Sequence, residues 1–67
     1  MKTYRTEQMA RVAILTALGH QVLGSIQAQL DAREIEAEQV DHETHLTHPD
    51  LAEVYVVDPS ITAGIAW

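Results

Sequence analysis

The sequence predicts a mainly α-helical protein, and three observations support that prediction. Residues 6–40 contain no Pro, they are rich in Ala, Gln and Glu, and their apolar residues recur with a helical period. We predict one long amphipathic helix over about 6–40, a short second helix over about 48–53, and an extended C-terminal arm over 54–67. A chain of 67 residues is expected to form a single domain, here a helical segment over 1–53 followed by the arm.

The long helix is predicted to begin near Thr6, which can act as its N-cap, with Glu7 in the first turn. At about 100° per residue, two faces of this helix are apolar or small. One face contains Met9, Val12, Leu15, Gly19, Leu23, Ile26, Leu30, Ala37 and Val40, and the opposite face contains Ile14, Leu18, Gln21, Ser25, Ala28, Ala32 and Ile35. A chain of this length cannot cover both faces by itself. We therefore expect each face to contact a neighbouring subunit.

Two glycines leave an alternative open for this helix. Gly19 and Gly24 each cost about 1 kcal/mol relative to Ala in a helix interior. The helix is therefore either continuous with a slight kink, or broken there into two helices that fold back as a hairpin. The continuous form is favoured because the segment between the glycines contains no Asn, Asp or Pro.

The long helix should end within residues 41–46. Pro49 biases His48 away from helical dihedral angles, and Thr47 with Asp50 matches a capping box that would start the second helix.

The last segment contains a β-prone run, Val54–Val57, that Pro59 closes. A single strand needs an edge to pair with, and the predicted helices leave none in this chain. We therefore expect the arm to dock on another subunit, with Ile61, Ile65 and Trp67 as apolar anchors.

Charge and composition exclude several classes of partner. The net charge of −6 is divided as +2 over residues 1–11, zero over 12–30 and −8 over 31–67, so no basic stripe for nucleic acid exists. The uncharged stretch 12–30 includes His20 and three Gln residues, so a membrane span or a cleaved signal peptide is not expected. A soluble location, or one within a larger particle, is expected instead. The absence of Cys excludes disulfides and thiolate metal sites.

Three histidines form the one grouping with metal-ligand spacing: His42, His45 and His48. On a helix, His42 and His45 would share a side, with His48 or Asp50 as a third ligand. The group lacks the H-E-x-x-H pattern and a fourth ligand, so we expect three surface histidines, no bound metal and no cofactor. His20 is interpreted as a packing residue.

An enzyme is not expected, because neither Ser25 nor Ser60 has an adjacent base and no Gly-rich phosphate loop is present. The first hypothesis is a small structural or assembly subunit that packs between other protein subunits, for which a bacteriophage virion is one natural setting. Its predicted interface comprises Val12, Ile14, Leu18, Leu23, Ile26, Leu30, Ile35, Tyr55, Ile61, Ile65 and Trp67. The alternatives are a soluble acidic binding module, such as an inhibitor or antitoxin-like protein, and a His-coordinated metal-binding protein.

Overall fold

The computed structural model describes residues 2–22 and 24–61, which form two short helices and a four-stranded mixed sheet. The predicted mainly α-helical class is therefore wrong. In chain order the elements are β1 Lys2–Tyr4, α1 Glu7–Ala17, α2 Ile26–Arg33, β2 Glu36–Val40, β3 Glu43–Thr47 and β4 Tyr55–Val57.

The strands of the sheet lie in the order β1-β4-β3-β2. Strand β4 is parallel to β1 and antiparallel to β3, and β3 is antiparallel to β2. Opposite residues share a face of the sheet, so the register places Ala37, Leu46 and Tyr55 on one side. Val56 lies opposite His45 and Thr3 and therefore belongs to the other side.

The long helix is broken at Gly19, which corrects the favoured continuous form. Helix α1 ends at its C-cap Leu18, and Gly19 follows with a φ of 95°. The Gly19 N–H donates to the Thr16 carbonyl at 2.9 Å and the His20 N–H donates to the Leu15 carbonyl at 3.1 Å. This pair of bonds is a Schellman motif, which satisfies the last carbonyls of the helix and turns the chain away from its axis.

Residues 36–40, predicted as the end of the long helix, form strand β2 of the β2–β3 hairpin instead. Val40 pairs with Glu43, so the loop contains two residues, and Asp41 adopts a left-handed φ of 56°. The Gln39 amide donates to the Asp41 carbonyl and the Thr44 hydroxyl donates to the Gln39 side-chain oxygen, both at 2.9 Å. Pairing with β3 thus overrides the helix propensity of Glu, Ala and Gln in β2.

The predicted second helix over 48–53 is also absent from the described structure, where these residues form a turn and an irregular segment. Thr47 does not act as a helix cap because it is the last residue of β3, paired with Glu36. The turn is closed by the Leu51 N–H, which donates to the His48 carbonyl at 3.0 Å.

The predicted β-prone run is confirmed as strand β4, but its role differs from the one expected. All three residues of β4 are buried, and the strand lies inside the sheet between β1 and β3 of the same chain. It therefore needs no edge from another chain, and these residues are not an arm that leaves the molecule. Ile65 and Trp67, the anchors predicted farther along, lie outside the described residues.

The core lies between α1 and one face of the sheet. Ala10 and Ile14 of α1 pack with buried residues of the sheet and its flanks, namely Ile35, Leu46, Tyr55 and Val57. The rings of Tyr4 and Tyr55 stack at 6.0 Å with an interplanar angle of 16°. Ile14 and Ile35, expected to contact neighbours, are thus covered by the chain itself, and the argument from two exposed faces of one helix is wrong.

Helix α2 is less firmly held than α1. The Ser25 hydroxyl accepts a hydrogen bond from the Ala28 N–H and caps its N-terminus. Of its eight residues, all described by the structure, Ala28 is the one that is buried. In the described part of the chain, neither helix has the length and apolar character needed to cross a membrane.

Candidate assembly surface

Among the described residues, five large apolar side chains remain exposed on the helical layer. Their exposed fractions are 39% for Val12, 48% for Leu30, 53% for Met9, 68% for Val22 and 75% for Ile26. Single exposed apolar residues are ordinary, but a group on one layer of so small a protein marks a candidate interaction surface.

The first part of this surface is a groove on the outer side of α1. Ala10 and Ile14 face the sheet, and the helical step of 100° therefore turns Met9 and Val12 outward. The groove has a volume of about 410 Å³ and is lined by Tyr4, Thr6, Gln8, Met9, Val12 and Ala13. We call these six residues the α1 groove.

The second part is a pair of side chains on α2. Ile26 and Leu30 are four residues apart, so they lie on one side of the helix and form a short apolar ridge. We call these two residues the α2 stripe.

The two parts carry borders of opposite charge. Near the α1 groove, residues 2–11 contain three of the four basic residues of the protein: Lys2, Arg5 and Arg11. The Arg11 side chain also pairs with Glu7 at 2.8 Å, which reduces its contribution. Beside the α2 stripe, the helix and its C-cap carry two carboxylates, Asp31 and Glu34, and one cation, Arg33. The segment that lines the groove therefore has a net positive charge, and the segment that carries the stripe has a net negative charge.

Comparison with known proteins does not assign this surface. No protein-family model, curated protein or solved structure matches the chain. The argument for a function therefore depends on the geometry and chemistry of the described residues.

The predicted interface residues fall into four groups. Val12, Ile26 and Leu30 are exposed and belong to the candidate surface, whereas Ile14, Ile35 and Tyr55 belong to the core. Leu18 packs partly buried against that core, and Ile61 is partly buried after β4. Leu23, Ile65 and Trp67 lie outside the described residues.

The structure adds residues that sequence reasoning did not select as interface. Tyr4 lines the groove because β1 runs beside α1, and no local pattern in the first five residues indicates a strand. Val22 was not selected because residues 20–24 were predicted to be helical. The available signal for the end of α1 was Gly19, which directly follows Leu18 and is itself followed by the polar residues His20 and Gln21.

The three candidate metal-ligand histidines do not share a helix. His42 lies in the β2–β3 loop and His45 in β3, while His48 follows β3. Each contacts different acidic groups: the nearest nitrogen–oxygen distances are 3.4 Å from His42 to Asp58 and 3.0 Å from His45 to Glu43. The two described clusters with metal-ligand geometry contain one of these histidines each, His42 in one and His48 in the other.

Asp58, the partner of His42, is also held by its own turn. The Ser60 hydroxyl donates to its carboxylate at 2.6 Å and the Ser60 N–H donates at 3.0 Å. The Ser60 hydroxyl, followed by the Ser60 N–H and the nearby His42, lowers the pKa of Asp58 against the opposing effect of desolvation.

Proposed function

We propose that this protein is a small, non-enzymatic structural subunit whose copies associate head to tail, with the α2 stripe of one copy inserted in the α1 groove of the next. The observation that supports this proposal is the pair of exposed apolar surfaces with oppositely charged borders. Each copy carries both halves of the contact, so one interface suffices to build an assembly.

The shapes of the two parts suit one another. Ile26 and Leu30 project from one side of α2 as a ridge, and the α1 groove is a depression between α1 and the start of the sheet. Ridges that enter grooves are the ordinary way in which a helix packs on another element.

Charge favours this contact over a symmetric one. If two α1 grooves faced each other, Arg5 and Lys2 of one copy would approach the same cations of the other. In the head-to-tail contact they approach Asp31 and Glu34 instead, so attraction replaces repulsion. A contact between two different patches is heterologous, and it produces a ring or an open filament according to its rotation.

The protein is large enough for two such contacts. Its accessible surface is 4650 Å². An ordinary interface covers about 800 Å² per partner, so one contact would take roughly a sixth of that surface. The stripe and the groove can therefore be occupied at the same time.

The test uses one charged substitution in each half. Val12→Glu disables the groove and Leu30→Glu disables the stripe, and both positions are exposed, so we expect both variants to fold. Multi-angle light scattering after size exclusion should show oligomers for the native protein and monomers for each variant alone. An equimolar mixture should form a dimer and stop there, because it contains one intact stripe and one intact groove. Gln27→Glu, an exposed α2 position outside the stripe, is the control and should assemble like the native protein.

Two results would contradict the proposal. A native protein that stays monomeric up to millimolar concentration would leave the two alternatives, an acidic binding module and a metal-binding protein. Oligomers that are lost in Val12→Glu but kept in Leu30→Glu would indicate a symmetric contact between grooves.

A further inference from the structure

A histidine and three carboxylates converge where α2 ends beside the turn after β3. Asp31 and Glu34 are three residues apart at the C-terminal end of α2, and His48 and Asp50 come from the turn. The ligand atoms of these four residues all lie within 4.8 Å of one another. His48 Nε2 lies 3.6 Å from Asp31 Oδ1 and 3.7 Å from Glu34 Oε2.

His48 supplies the second, independent observation. Its side chain is 0% exposed, and within the described residues its Nε2 atom has no hydrogen-bond partner. A buried polar atom without a partner costs about 1–3 kcal/mol. This atom points toward two carboxylate oxygens that are too distant for hydrogen bonds, so the arrangement suits something placed between them.

We propose that His48, Asp31, Glu34 and Asp50 bind a divalent transition-metal cation of the zinc class. This inference does not rest on the proposed assembly, although Asp31 and Glu34 are also the carboxylates beside the α2 stripe. It also departs from the expectation of no metal at His48, because two of the four ligands come from α2, which sequence spacing did not bring near the histidine.

The two distances from His48 are close to those expected around a four-coordinate cation. Ligand atoms about 2.0–2.1 Å from a tetrahedral zinc ion lie about 3.3–3.4 Å from one another. The two distances from His48 Nε2, 3.6 and 3.7 Å, exceed that spacing by a few tenths of an ångström. Asp31 is part-buried and Glu34 is exposed, and small rotations of the two side chains would shorten both distances to that spacing.

The ligand types select the class of cation. Calcium and magnesium take oxygen ligands and gain little from an imidazole. A site with one imidazole and several carboxylates suits zinc and the neighbouring first-row divalent ions.

His20 contacts Asp31, one of the four proposed ligands, from outside the site. Its Nε2 lies 2.5 Å from Asp31 Oδ2, which leaves Asp31 Oδ1 directed toward His48. An outer hydrogen bond of this kind orients a ligating carboxylate and typically changes metal affinity by about 10–100-fold. A cleft of about 590 Å³, lined in part by Glu34, Thr47 and His48, lies beside the site.

Binding requires a change of tautomer at His48. The Asp50 N–H donates to His48 Nδ1 at 3.1 Å, so the neutral ring carries its proton on Nε2. When Nε2 gives its lone pair to the cation, that proton must reside on Nδ1 and the Asp50 N–H must turn away. Asp50 is exposed in the turn after Pro49, so its N–H can turn to water when the bond to His48 is lost.

The experiment is calorimetric titration of the full chain with ZnCl₂, and with CaCl₂ in parallel. We expect micromolar zinc binding at one site per chain, weakened at least about a hundredfold by His48→Gln or Glu34→Gln and about tenfold by His20→Gln. His45→Gln is the matched control, because His45 contacts Glu43 instead, and it should bind zinc like the native protein. Nitrogen-15 spectra of the native imidazoles should show the His48 proton move from Nε2 to Nδ1 when zinc is added.

The outcomes remain decisive even if His48→Gln does not fold. Glu34→Gln alters an exposed residue, and the imidazole spectra need no variant. Zinc binding that leaves the His48 spectrum unchanged, or calcium binding equal to zinc binding, would indicate a simple cluster of acids and overturn the proposal. Failure to bind zinc at millimolar concentration would do the same.

Discussion

At Gly19 the backbone has a φ of 95°, a conformation that strains any residue with a Cβ atom. A Cβ built at this position meets no atom within 4 Å, so the strain would come from the backbone alone. Gly24 is equally open, but its φ lies outside the left-handed region. The sequence alone does not distinguish the two glycines, but their backbone φ angles do.

We expect Gly19→Ala to lower the free energy of unfolding by about 1 kcal/mol or more, because Ala must adopt a left-handed φ there. Gly24→Ala is the matched control, and it should change stability by less than about 0.5 kcal/mol. Urea denaturation followed by circular dichroism measures both. Equal effects of the two substitutions would show that the chain does not turn at Gly19 in the way described.

Among the elements, α2 and the β2–β3 hairpin show the limits of prediction from this sequence. The cap at Thr6, the apolar periodicity of α1 and the strand at Tyr55–Val57 are local patterns, so the sequence alone could predict them. Strand β2 could not be predicted in this way, because Glu36–Val40 prefers helix in isolation and becomes a strand through its pairing with β3. The site at His48 could not be predicted either, since Asp31 reaches it only because the chain leaves α2 after Arg33 and then reverses at Asp41.

We expect α2 to open before the sheet does. One of its residues is buried, whereas β3 lies inside the sheet and is hydrogen-bonded to β2 on one side and to β4 on the other. Amide hydrogen exchange should therefore be faster over Ile26–Arg33 than over Glu43–Thr47. Ser25→Ala, which removes the N-cap, should cost about 1 kcal/mol and speed exchange in α2 further. Thr6→Ala removes the equivalent cap of α1 and should leave exchange in α2 unchanged. Equal protection of α2 and β3 would contradict this order of opening.

At the scale of the whole molecule, charge is divided between the N-terminal cations and the carboxylates of residues 31–58. In the proposed assembly these two regions meet at the rim of each contact. The apolar stripe and groove lie inside that rim. The rim is exposed to solvent, so dissolved ions should screen it, whereas the apolar part of the contact should respond little to moderate salt.

We therefore expect the dissociation constant for self-association to rise when NaCl increases from about 50 to about 500 mM, by about three- to tenfold. Sedimentation equilibrium measures this change. Arg5→Gln, which removes one rim cation, should flatten the salt dependence, while Arg33→Gln, which removes a cation beside the α2 stripe, should steepen it. An affinity that increases with salt would indicate a contact without charge complementarity.

The parallel pairing of β1 with β4 has a consequence for how the chain folds. Thr3 is aligned with Val56, so this contact spans nearly the whole described sequence, whereas the β2–β3 hairpin and the β3–β4 pairing join nearby residues. Contacts of high sequence separation carry the largest loop-closure entropy, so β1 should join the sheet last. Until then β4 presents an open edge. During that interval, β1 of another chain can pair with β4 at this edge, and the two molecules then exchange their N-terminal strands.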